Sequence, residues 1–107
     1  MIGRGLLFCL LAGSFSVAAY AASTTHDVDQ KKLQFNVSEL RIKKGDVVRF
    51  MNSDRPAHNI LVNDGASVLS SGLQQPGQPY TVPFPKTGTF PVTCGIHSKM
   101  HMTVIVE

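Results

Sequence analysis

The chain predicts an all-β fold, a Greek-key β-sandwich or barrel of about seven to eight strands. Three observations carry this. Apolar residues recur at period two in short runs, among them Leu33-Phe35-Val37, Val48-Phe50 and Tyr80-Val82-Phe84. Turn-forming residues punctuate those runs, with nine glycines and six prolines in 107 residues. No stretch has the length and period of a long helix, there is no Trp, and neither an internal repeat nor a second domain interrupts the pattern.

The first segment stands outside this fold. Arg4 supplies a basic start, Leu6 to Val17 an apolar run, and Ala19-Tyr20-Ala21 a small-x-small cleavage site, together the form of a secretory signal peptide. The apolar run is short for a bilayer span. Residues 1–21 are therefore expected to be removed, leaving 22–107 as a single exported domain with no stable membrane insertion.

The polar run Ser23 to Gln30 reads as a flexible terminus. From Lys32 the pattern turns strand-like, with Leu33, Phe35 and Val37 on one face and Lys32, Gln34 and Asn36 on the other, and Leu40 and Ile42 continue it. Lys44-Gly45-Asp46 turns the chain into a strand over Val47 to Met51, with Val48 and Phe50 inward. His58 to Val62 is the next strand, ended by Asn63-Asp64-Gly65. Ala66 to Gly72 is the one candidate for a short helix. Tyr80, Val82 and Phe84 alternate again, and Pro83 and Pro85 argue for an edge strand or bulges. Lys86-Thr87-Gly88 leads into Phe90 and Val92, and Val104 and Val106 close the chain.

A domain this small is near the size at which chains need a staple. Removing the signal removes Cys9, so Cys94 is the only cysteine left and no disulfide can form within the domain. A lone exported cysteine points to intermolecular pairing, a reactive thiol or a buried metal ligand. The last also supplies the staple, because a metal bound by the folded state stabilises it. Charge is less informative: loss of Arg4 leaves nine basic residues against seven acidic ones. A weakly basic surface suits an acidic partner. Nothing interleaves aromatic and basic residues as a nucleic-acid surface would.

The chemistry lies in Pro91 to Val106. Cys94, His97 and Met100 follow one another at intervals of three on a loop between two strand-like runs. Thiolate, imidazole and thioether favour copper, and two His with one Cys in a trigonal set plus a weak axial Met form an electron-transfer copper centre. The second His is available as His58, after the Pro56-containing turn. Zinc accepts Cys and His but seldom Met. A c-type haem lacks its Cys-x-x-Cys-His signature. Cys94 and His97 as a nucleophile pair lack a third orienting group.

Pro56-Ala57-His58-Asn59-Ile60, then Gly88-Thr89-Phe90-Pro91-Val92-Thr93-Cys94-Gly95-Ile96-His97, then a Met and a terminal alternating strand, resemble the small blue copper proteins, the cupredoxins. The resemblance covers residues 22–107 and is closest to the plastocyanin, pseudoazurin and amicyanin branch. It implies one type 1 copper ion held by His58, Cys94 and His97, with a Met as axial ligand. Plastocyanins and pseudoazurins resemble a His-x4-Met spacing, which selects Met102, and amicyanins a His-x2-Met spacing, which selects Met100. The period-two register of the terminal strand favours Met100, with Met102 the alternative. Ser98 stands where the family often has Pro, and the domain is short for the family.

The resemblance further implies Asn59 as a residue bonding across to the ligand loop. It implies no enzyme but a periplasmic, monomeric carrier that shuttles single electrons by Cu(II)/Cu(I) cycling. A redox protein, whether cytochrome, dehydrogenase or reductase, would dock transiently at His97 within an apolar ring of Pro56, Ala57, Ile96 and Leu73. Periplasmic copper storage or delivery is the alternative, with His26, His101 and Met102 as extra copper contacts.

Overall fold

A computed structural model describes residues 22–107. The signal peptide expected at residues 1–21 lies outside the described residues. Nine strands follow in order: β1 (Thr25–Lys31), β2 (Gln34–Phe35), β3 (Glu39–Ile42), β4 (Val47–Asn52), β5 (Ile60–Asn63), β6 (Val68–Ser70), β7 (Tyr80–Pro83), β8 (Gly88–Cys94) and β9 (His101–Val106). They form two mixed sheets, ordered β2-β1-β4-β7 and β3-β9-β8-β5-β6. β1 lies parallel to β4 and β3 parallel to β9, while the other neighbours are antiparallel. The all-β sandwich matches the expectation, and the surplus over seven to eight strands comes from the short pieces β2 and β6.

The sheets close on one another because the alternation is kept in every long strand. Val48 and Phe50 of β4, Phe90 and Val92 of β8, and Met102, Val104 and Val106 of β9 are all buried. Phe35 meets Phe50 edge to face at 6.4 Å, and Phe84 meets Phe90 at 5.4 Å. Such contacts add to the area term that drives burial. Pro83 sits on β7, at the edge of its sheet, where a missing amide donor costs no ladder bond.

Three local expectations are corrected. Ser23 to Gln30 is not a loose terminus: most of it is β1, paired along its length with β4, from Thr25 opposite Val47 to Gln30 opposite Asn52. Its polar residues hid the strand, because Gln30 is fully buried with its amide nitrogen donating to the Met51 carbonyl at 3.0 Å and to Gln74 Oε1 at 2.8 Å. Ala66 to Gly72 holds no helix but the edge strand β6, whose pairing with β5 overrides local preference.

The third correction is at Lys32-Leu33, which is not strand. These two residues form the tight loop joining β1 to β2, with φ of 54° and 57°. A two-residue hairpin loop with both φ positive ordinarily takes Asn-Gly or a similar pair. For Lys and Leu each left-handed residue costs about 1–3 kcal/mol. Both amides donate to the Asp54 carboxylate, Lys32 N to Oδ1 at 2.7 Å and Leu33 N to Oδ2 at 2.9 Å.

The register gathers the functional residues at one end. Ile60 opposes Cys94, Thr93 opposes His101, and Gln30 opposes Asn52. The start of β5, the end of β8, the start of β9 and the ends of β1 and β4 therefore converge.

The opposite end is held by Asp46. Its carboxylate accepts from the amides of Thr24 and Lys43, both at 3.0 Å, and lies 2.9 Å from His26 Nε2. The Thr24 amide first, then His26 and the Lys43 amide, hold its carboxyl down at about 2. A depressed folded-state value stabilises the fold above the unfolded value, about 3.9, and that stabilisation disappears as pH falls toward 2. Urea midpoints measured from pH 7 down to pH 2 should therefore fall steeply below pH 4 in the wild type. In Asp46→Asn they should start lower at pH 7 and lose less over the acid range. Parallel curves would show that Asp46 does not anchor this end.

Candidate metal centre

His58 lies between two pieces of local order that fix its ring. Its backbone makes a bridge to Gln74 in both directions, His58 N to Gln74 O at 3.0 Å and Gln74 N to His58 O at 2.7 Å. Gln74 is held in turn through its side chain, which donates to the Phe50 carbonyl at 2.9 Å and the Gln78 carbonyl at 2.7 Å. Asn52 closes the loop before His58, donating to the Pro56 carbonyl at 3.0 Å and the Gln74 carbonyl at 3.1 Å. The strand expected to begin at His58 begins at Ile60, because His58 is occupied by the Gln74 bridge.

The ring of His58 is fully buried and both its nitrogens are engaged. Nε2 lies 2.9 Å from Asp54 Oδ2, and Nδ1 lies 3.1 Å from His97 Nδ1. Desolvation raises the Asp54 carboxyl, but the Leu33 amide, His58 and the Lys32 amide outweigh it and hold the group below the ordinary carboxylate range. An ionised carboxylate only accepts, so Nε2 of His58 carries a proton, and in the neutral ring Nδ1 then keeps its lone pair.

Cys94 ends β8 with its thiol buried. Its Sγ lies 3.6 Å from His58 Nδ1 and 3.8 Å from His97 Nδ1, and accepts from the Asn59 amide at 3.4 Å. The loop after it is short and tied: Gly95 N donates to Asn59 O at 2.8 Å, and Met100 N to His97 O at 2.9 Å. A Cβ at position 95 would stand 3.1 Å from Asn59 Nδ2 and 3.3 Å from Leu61 Cδ1, so glycine allows this close approach. Asn59 thus bonds across to the ligand loop through its backbone, while its side-chain oxygen accepts from Ser70.

The three donors fit a single metal ion. A triangle with sides of 3.1, 3.6 and 3.8 Å has its centre about 2 Å from every corner. That is close to the roughly 2.0–2.3 Å of first-row metal bonds to imidazole and thiolate. One cysteine sulfur and two imidazoles, with His58 and Cys94 buried and His97 half-buried, suit copper.

The two methionines are both buried and differ in the residue each one opposes. β8 and β9 pair with Val92 opposite Met102, and the same register carried outward puts Met100 opposite Cys94, whose amide donates to the Met100 carbonyl at 3.3 Å. Met102 lies inside the ladder among Val92, Val104 and the rest of the core. Of the other candidates, His101 is exposed with Nδ1 3.1 Å from the Lys99 carbonyl, and His26 is at the far end on Asp46. Asp54, Asn52 and Gln74 escaped the sequence reading. A carboxylate four residues before a candidate ligand His was the one local signal.

Residues 22–107 match the family model of copper-binding proteins of the plastocyanin/azurin family. Amicyanin-alpha of Methylorubrum extorquens is 30% identical over 101 residues, 92% of this chain and 85% of that protein. The amicyanin of Paracoccus denitrificans is 29% identical over 99 residues, 86% of this chain and 76% of its own. Among solved structures, a reduced Cu(I) form of an amicyanin point mutant superposes with a TM-score of 0.72 at 29% identity, covering 87% of this chain and 90% of that one. A purple cupredoxin from Nitrosopumilus maritimus shares the fold with a TM-score of 0.69 at 20% identity, over 77% of this chain and 99% of that one. The chain belongs to the plastocyanin/azurin family of copper-binding proteins, the cupredoxins, with one copper ion as its cofactor.

Proposed function

We propose that the chain is an electron carrier, exported to the periplasm by residues 1–21. In this reading His58, Cys94 and His97 are the equatorial ligands of a type 1 copper and Met100 is the axial one. The observation that carries the proposal is the donor triangle, already sized for one ion with two of its corners buried. Met100 is preferred over Met102 because the β8–β9 register puts it across from Cys94 and puts Met102 across from Val92.

When bound, copper supplies one-electron chemistry by passing between Cu(II) and Cu(I). The protein's part is to keep the donors still. The Gln74 bridge and Asp54 hold His58, β8 pairing and the Asn59 amide hold Cys94, and the Met100 amide turns the loop at His97. Little has to move when charge changes, so exchange is fast. In this reading the chain is a carrier, not an enzyme.

Half-buried His97 is the port for electrons. Beside it Ile96 is 50% exposed, and Leu73, next to Gln74, is 62% exposed; together with Pro56 and Ala57 they give a small apolar surface suited to brief docking. Exposed Lys32, Arg55 and Lys99 belong to the segments at this end, and none enters an ion pair among the described residues, which suits an acidic partner surface. The protein docks as a monomer. The extra contacts of the storage or delivery reading lie apart, since Met102 opposes Val92 within the ladder, His101 is exposed and His26 is at the far end.

Adding Cu(II) to residues 22–107 should give an intense blue band that ascorbate bleaches and an oxidant restores. Met100→Ala should shift the band and the potential. Met102→Ala should leave the spectrum in place and lower stability by about 2–5 kcal/mol, as truncation of a buried Met does. A pale Cu(II) spectrum with tight Cu(I) binding would favour storage or delivery.

Copper should also raise the thermal midpoint. At a free concentration a hundred times the dissociation constant the gain is about 2.7 kcal/mol. His58→Ala and Cys94→Ser should each abolish most of that gain in a calorimetric scan.

A further inference from the structure

We propose that Asp54 is the positioning residue of the copper centre and that the left-handed Lys32-Leu33 turn is its anchor. This rests on the reading of His58 as a copper ligand. It adds a support element from a part of the chain that holds no ligand.

One carboxylate receives three donors. Lys32 N reaches Oδ1 at 2.7 Å, Leu33 N reaches Oδ2 at 2.9 Å, and His58 Nε2 lies 2.9 Å from the same Oδ2. The Asp54 amide donates to Asn52 Oδ1 at 2.8 Å, so its backbone is held as well. Lys32 and Leu33 are the only non-glycine residues with positive φ among the described residues. Neither has the short polar side chain or missing Cβ that makes this conformation easy. Backbone strain persists where surrounding structure over-determines it, and it concentrates at functional sites. Here the over-determining group is the carboxylate that also touches His58.

The chemistry follows from the acceptor. Ionised Asp54 keeps the proton of His58 on Nε2, so the lone pair of Nδ1 faces Cys94 Sγ and His97 Nδ1. In the metal-free protein His97 Nδ1 is then the donor of the contact between the two rings. The turn amides stop the carboxylate from rotating away. Groups that orient a metal-binding His in this way are worth about 10–100-fold in metal affinity.

The test separates turn stability from His58. Replacing the turn by K32N/L33G supplies residues that favour its backbone, and Asp54→Ala is then made in that background. Nitrogen–proton correlation spectra of the histidine rings are recorded without metal at one pH, and Cu(II) affinity is measured by competition. With Asp54 present, His58 should show a single Nε2–H tautomer. Asp54→Ala should give mixed tautomers and a loss of affinity of about 10–100-fold. A glycine inserted between Lys32 and Leu33 with Asp54 intact should change the His58 signals in the same direction.

Unchanged tautomer and affinity in Asp54→Ala would overturn the positioning role. Unchanged His58 signals in the insertion variant would overturn the anchoring role. Neither result depends on the blue band, so a wild-type protein that lacks the band would instead refute the ligand reading itself.

Discussion

The antiparallel register of β8 and β9 is the constraint on which the copper end depends. Because side chains alternate, a slip of β9 by one residue would turn Met102, Val104 and Val106 away from the core together. In the observed register Val92 opposes Met102 and Phe90 opposes Val104, so the core is filled by the same pairing that brings Met100 across from Cys94. Core packing and the ligand loop are thus not separate requirements. The burial that stabilises the sandwich also sets the start of the loop that carries His97.

β5 extends this arrangement to the second histidine. Ile60 pairs with Cys94, which places Asn59 beside the sulfur and leaves His58 just beyond the ladder. Beyond the ladder, backbone groups need other partners, because buried amides and carbonyls are costly when unpaired. Gln74 supplies them for His58, and Gln30 of β1 bonds to Gln74 from the other sheet. A buried polar chain therefore runs from one sheet to the metal end of the other. This gives the N-terminal strand a place in the site although it contributes no ligand.

The two ends of the sandwich use carboxylates in a similar way. Asp46 gathers two amides and His26, and Asp54 gathers two amides and His58. Each ties a loop or turn to a neighbouring strand where regular pairing stops. The difference is what the histidine does: His26 is part exposed and ends the contact, whereas buried His58 presents its other nitrogen to Cys94 and His97. The same local device thus ties down a chain segment at one end and holds the buried His58 ring at the other.

The sequence by itself determined the all-β class, the inward set Val48, Phe50, Val82, Phe90, Val92, Val104 and Val106, and the grouping of His58 with Cys94 and His97. Period-two burial and ligand softness are local properties, visible wherever a strand alternates or a Cys and His share a short loop. Tertiary structure alone decided the rest. β1 was hidden because its buried position at Gln30 is polar, and its amide nitrogen finds its partners at Gln74 and Met51, far along the chain. β6 was hidden because its strand state comes from pairing with β5. The Lys32-Leu33 turn carries no turn residues, since Asp54 supplies from elsewhere the stabilisation that Asn-Gly would supply locally. For the two methionines, the period-two rule favoured Met100, and the partner strand adds that Met100 opposes Cys94 while Met102 opposes Val92.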